Sequence, residues 1–273
     1  MLTFEAPGID IPALDAFDEA LEIGFTDFDG ILHDPAKLKD AERKLRLLIF
    51  QHPEFIDAYH HLAMICEGTG RLDEAQTLWE KATNIGMLKI VEQFCASGNT
   101  LKWGWLDNRP FLRALSSLGL QYKKWGSQAQ AIGIFETILN ANPNDNQGIR
   151  SLLVESYFAS DSPEKVLRLC MKFPDDTDEN IMYGKVLALL KIDKKGKATK
   201  ALEEAFRYLP NIARELAKKT HRRPAGMESR WLTQGSTDQA FIYWERQGKV
   251  WQNAPGALEF VRDFIQNKKA AKG

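Results

Sequence analysis

Residues 110–143, PFLRALSSLGLQYKKWGSQAQAIGIFETILNANP, decide the fold. Leu115, Leu118 and Tyr122 recur at helical spacing, Gly126 interrupts the run, and Ala131, Phe135 and Ile138 resume it up to Pro143. Two helices joined by a glycine turn form a hairpin. Gly119 and Ala131 are small enough for the helices to approach closely, and Gly126 supplies the tight turn. Working outward, the same frame returns. Ala41, Ala75 and Ala198 each have Leu45, Trp79 or Leu202 four residues on, and Pro53, Met87 or Pro210 twelve residues on. A unit recurring with this registry predicts an all-α chain of stacked helical hairpins.

The first half-unit opens at Asp34-Pro35, an N-cap followed by proline at the first helical position. A full unit runs from Ile56 to about Lys89, with Gly70 at its turn. In a third unit Ser160-Asp161-Ser162-Pro163 stands where the turn glycine is expected, and in a fourth the turn reads Lys194-Lys195-Gly196-Lys197. Between Ala75 and Ala131 the period slips, which isolates an insertion at 90–111 containing Trp103, Trp105, Asp107, Arg109 and Pro110, with Asn108 as a cap for the helix that follows. Beyond Pro210 the frame is lost. A short helix near Asn211, a helix capped at Ser236 or Thr237, and a last helix after Pro255 are expected to cover the end of the array.

Ala41 and Ala75 lie 34 residues apart, and over 34–210 the chain resembles the tetratricopeptide repeat family. That resemblance implies a right-handed α-solenoid in which the first helix of each hairpin lines a concave face. The stretch from Trp103-Gly104 to Arg109-Pro110-Phe111 is similar to a signature of some proteins of that family. The tail, with Tyr208-Leu209-Pro210-Asn211, Gly235-Ser236-Thr237 and Gly256-Ala257-Leu258, is similar to that of the suppressor of tumorigenicity seven family, which implies a related cap. The expected organisation is an acidic arm at 1–33, mobile or docked, a solenoid at 34–210, capping helices at 211–267 and a basic tail at 268–273.

Composition narrows the function. Net charge is −1, yet residues 1–36 hold nine acidic residues and no Lys or Arg, whereas residues 191–273 hold eighteen Lys or Arg against nine Asp or Glu. Such polarity points to interacting ends, including self-association through the arm. The three cysteines, Cys66, Cys95 and Cys170, are unpaired in pattern and fit a reducing compartment. With no apolar stretch long enough to span a bilayer, a cytoplasmic protein without a membrane partner is expected.

Catalytic patterns are lacking: there is no nucleotide-cradling glycine loop and no nucleophile elbow. His60-His61 point about 100° apart on a helix and do not make a metal-ligand face, so neither metal nor cofactor is expected. The basic stretches Lys194–Lys200 and Lys218–Arg223 read as solvated turns and helix ends, where cations suit the C-terminal dipole, and nucleic acid is set low. What remains is a peptide-binding groove on the first helices: Asp57, His60 and Met64; Arg113, Ser116, Leu120 and Lys123; Gln147, Arg150, Val154 and Tyr157; Tyr183 and Leu187. Its cations favour a protein partner with acidic and apolar residues. The expected function is a non-catalytic scaffold or adaptor, regulated by the acidic arm. The alternatives are an accessory subunit of an enzyme complex built on the insertion, and a nucleic-acid-associated factor acting through the basic C-terminal region.

Overall fold

Four residues in left-handed backbone conformation mark four hairpins: Gly70, Gly126, Asp161 and Asp193, with φ of 82°, 77°, 48° and 54°. At each, the following residue's N–H reaches back five residues: Arg71 to the Cys66 carbonyl, Ser127 to Tyr122, Ser162 to Tyr157 and Lys194 to Leu189, at 2.8–2.9 Å. This is the Schellman closure of a helix C-terminus, which needs one left-handed residue. Glycine adopts that conformation freely, and aspartate tolerates it because its short polar side chain bonds locally. The third and fourth turns therefore persist without glycine. In the fourth, the turn residue is Asp193 and not the Lys194–Lys197 run, which belongs to the helix that follows.

The computed structural model describes residues 9–26, 30–31, 34–94, 100–227 and 232–270. Among the described residues it contains thirteen α-helices and no β-strand. The chain divides into two units, Met1–Ile149 and Arg150–Gly273.

The first unit holds α1 (Ile11–Gly24), α2 (Pro35–Gln51), α3 (Ile56–Gly68), α4 (Leu72–Phe94), α5 (Arg109–Lys124) and α6 (Gln128–Ala141), each packed on its chain neighbour. The helix of the acidic arm is docked within it: Asp10 caps α1, and Ala13, Phe17 and Ala20 are buried in a core shared with Leu38, Ala41 and Leu45 of α2. Asp34 caps α2 by accepting from the Ala36 and Lys37 amides. Ala41, Ala75 and Ala131 are wholly buried, as the frame requires. Gly119 faces Phe135, whose ring carbon lies 2.6 Å from where a β-carbon would sit, so the close approach of α5 and α6 depends on the missing side chain. Met87, standing where the frame has proline elsewhere, lets α4 run on to Phe94 and take up the start of the insertion.

The second unit holds α7 (Ile149–Ala159), α8 (Pro163–Lys172), α9 (Glu179–Lys191), α10 (Lys195–Tyr208), α11 (Pro210–Leu216), α12 (Thr237–Gln252) and α13 (Ala257–Ala270). Asp178 and Ser236 cap α9 and α12. The period is lost after Pro210 because this proline opens α11 directly behind α10, and α11 then packs on α12 and α13. Tyr183 ties α9 to this region: its hydroxyl donates to the Leu209 carbonyl at 2.7 Å and accepts from the Ala213 amide at 3.2 Å.

Candidate functional site

The residues assigned to a concave groove are for the most part occupied within their own unit. In the first unit Arg113 on α5 donates from Nη2 to both carboxylate oxygens of Asp57 on α3, at 2.8 Å each, so its charge is met internally. His60 is buried and accepts from the Trp79 indole at 3.2 Å through Nδ1, which places any ring proton of the neutral form on Nε2. Burial, followed by the neighbouring His61 and Arg113, holds its pKa well below the ordinary imidazole value. Beside it His61 is wedged between the edges of Phe17 and Phe25 from the arm, with Nδ1 2.8 Å from the Asp57 carbonyl. His61 is thus the packing surface for the arm's Phe17 and Phe25, with His60 behind it against Trp79. Gln147 donates to the Leu112 carbonyl, Met64, Ser116 and Lys123 are half-buried, and Leu120 is exposed.

In the second unit Val154, Tyr157, Tyr183 and Leu187 are buried, and Arg150 is paired with Asp176 and lies over the Phe173 ring. These positions face neighbouring helices because the 3.6-residue period that places a residue toward a concave side also places it against the next hairpin.

The insertion closes on itself. Arg109 lies over the Trp103 ring at 5.3 Å and donates from Nε to the Trp103 carbonyl at 3.0 Å. Asn108 is fully buried and donates to the Lys102 carbonyl, so it anchors the loop and does not cap α5. Pro110 occupies the first turn of α5, whereas Trp105 and Asp107 are exposed, Trp105 by 44%. Cys95 lies outside the described residues. Cys66 and Cys170 are buried, which pushes their thiols up to about 11 and about 12. Among the described residues no group of three or more His, Cys, Asp or Glu is placed to hold a metal ion, and no helix is long and apolar enough to cross a membrane.

The residues that sequence reasoning passed over lie on α10. A channel of about 640 Å³ is bordered by α8, α9 and α10. Leu167, Cys170, Met171 and Leu189 line its apolar part, and four lysines, Lys185, Lys194, Lys197 and Lys200, edge it with one carboxylate, Glu204. Lys185 lies 3.6 Å from Glu204, while among the described residues no ion pair forms at Lys194, Lys197 or Lys200. These three lysines stand at the N-cap and in the first two turns of α10, the positive end of the helix dipole. A cation in the first turn costs about 0.3–1 kcal/mol of helix stability and the effect fades beyond it, so Lys194 and Lys197 bear the cost and Lys200, a turn on, bears little of it. The expectation that the dipole accounts for them is reversed.

The other basic stretch follows the C-terminus of α11, where cations are favoured. Two of its members, Lys218 and His221, are tied to a carboxylate, whereas Lys219, Arg222 and Arg223 are exposed and form no ion pair among the described residues. Glu215, only 5% exposed, accepts from Lys218 and lies 2.8 Å from His221 Nδ1, and the His221 ring stacks on Trp244 at 3.5 Å.

Comparison with known proteins corrects the two family resemblances. Small residues such as the frame alanines are needed wherever helices pack closely, and the 34-residue spacing occurs only between Ala41 and Ala75, so the frame does not single out the tetratricopeptide repeat family, and the tail does not carry the suppressor of tumorigenicity seven assignment. No curated protein matches the chain. A model of the Tcf25 family, described as transcriptional repressor TCF25, matches residues 37–272, nearly the whole described helical array, and the chain belongs to that family.

Proposed function

We propose that this chain is a non-catalytic regulator of transcription that works by holding other macromolecules, with the basic face of its second unit as a contact surface. The family description supports a role in repression. The observation that carries the reading is the row Lys194, Lys197 and Lys200, exposed at the dipole end that disfavours them and beside an open channel. Folding gains nothing from such a placement, whereas an anionic partner does.

On this reading each unit is a short scaffold of stacked helical hairpins, and the nucleus replaces the cytoplasm as the compartment. Nucleic acid returns as a partner class, since a repressor works beside it and three lysines that form no ion pair among the described residues attract phosphate as well as carboxylate. Fusing the chain to a heterologous DNA-binding domain upstream of a reporter tests the regulatory role. Reporter output falling several-fold relative to the DNA-binding domain alone is expected, and unchanged output contradicts the reading.

A further inference from the structure

We infer that the channel bordered by α8, α9 and α10 is the docking site for an acidic amphipathic helix of a partner protein. This deepens the reading of the basic unit as a contact surface and rests on it. The floor is apolar, and Met171, which belongs to it, keeps 72% of its surface exposed. Its volume falls in the range of about 300–1,000 Å³ typical of binding sites. Lys194, Lys197 and Lys200 recur every three residues, so they stand about 4.5 Å apart along the axis of α10. A helix that buries apolar anchors at i, i+4 and i+7 carries flanking carboxylates at a matching rise of one turn or less. The ligand's acidic flank would neutralise charges that the α10 dipole disfavours.

Nucleic acid fits this surface less well. A phosphate backbone leaves an apolar floor wet, and no aromatic side chain lines the channel on which a base could stack. The chain's own acidic helix α1 is already committed, since Ala13, Phe17 and Ala20 are buried in the first unit.

The test is fluorescence anisotropy on the full chain. One labelled helical peptide carries Leu at i, i+4 and i+7 with flanking Glu; a second has Lys in place of each Glu; labelled single- and double-stranded DNA are run beside them. The Glu peptide is expected to bind, with at least tenfold weaker binding in K194E/K197E/K200E and a similar loss in Met171→Asp, while the Lys peptide and DNA show no lysine-dependent binding. All four changes are at exposed positions, and circular dichroism confirms folding. The proposal is overturned if the Glu peptide binds the charge-reversed variant equally well or does not bind at all. It is equally overturned if DNA binds through these lysines in its place, or if sedimentation shows a dimer of the chain that the triple variant dissolves. Reporter repression by the triple variant separates the two ideas. Repression retained with peptide binding lost places the regulatory contact elsewhere, whereas a wild-type chain that binds the peptide but never represses removes the regulatory reading alone.

Discussion

The two basic stretches of the second unit have similar composition, but only one of them has cations, Lys218 and His221, tied to a buried carboxylate. Lys218 and His221 follow the C-terminus of α11, share the buried carboxylate of Glu215, and are finished off by the stack of His221 on Trp244. Lys194, Lys197 and Lys200 open α10 at the unfavourable end of its dipole with no carboxylate brought to them among the described residues. One cluster is part of how the unit holds together. The other weakens its own helix, and so its explanation lies outside the fold. Charge counts alone do not separate such cases; the position of each cation relative to a helix end does.

The largest effect is expected where that comparison is most one-sided. Replacing Glu215 with Ala takes the carboxylate from His221, which is largely buried, and from Lys218, which water can reach, and a loss of about 2 kcal/mol is expected in urea unfolding. An unchanged midpoint would mean that the Glu215 cluster contributes no more to folding than the α10 lysines do. Reversing the charges in K194E/K197E/K200E has the opposite sign. Acidic residues suit the N-terminal turns of α10, so the variant should gain about 1–2 kcal/mol in low salt, shrinking as salt screens the effect.

A pH sweep sharpens the contrast between units. Folding holds the His60 pKa below its unfolded value, so the unfolded chain binds the extra proton first. That contribution to stability is present above the unfolded value of about 6.5 and is lost as pH falls from there toward the folded value, by at most about 1.4 kcal/mol per pH unit. The first unit, followed by Trp79 fluorescence in a chain whose other tryptophans are replaced by Phe, should therefore weaken from pH 7 to 5.5, and His60→Gln should flatten the slope. The smallest effect belongs to the turn just before the lysine row. Asp193 adopts φ of 54°, and Asp193→Gly should stabilise by about 0.5 kcal/mol, as should Asp161→Gly. A loss at either position would show that the aspartate side chain contributes more than its backbone strain removes.

Much of the fold was legible in the sequence, because close packing of hairpins leaves a residue-level trace. Ala41, Ala75, Ala131 and Ala198 are all wholly buried, Pro35 and Ser236 stand at helix starts as their chemistry predicts, and the proline missing at Met87 accounts for the long α4. Two things were not legible. Aspartate in place of glycine at Asp161 and Asp193 hid the true ends of α7 and α9, which made Lys194–Lys197 look like a turn and concealed its bearing on the α10 dipole. The proposed groove failed for a related reason. Periodicity reports that Arg113, Arg150 and Tyr183 share a face with other residues, but not whether that face meets solvent or another helix, and here Asp57, Asp176 and the Leu209 carbonyl meet them. The family assignment was out of reach from the frame alone, since helical hairpins of any ancestry need small residues at the same places.

The most direct measurement of the central claim pairs two readings on one variant: thermal unfolding and Glu-peptide anisotropy of K194E/K197E/K200E against the unaltered chain, in the same low-salt buffer. A surface kept for a partner predicts a variant that melts higher and binds at least tenfold more weakly. A variant that melts lower, or that binds the peptide undiminished, contradicts it.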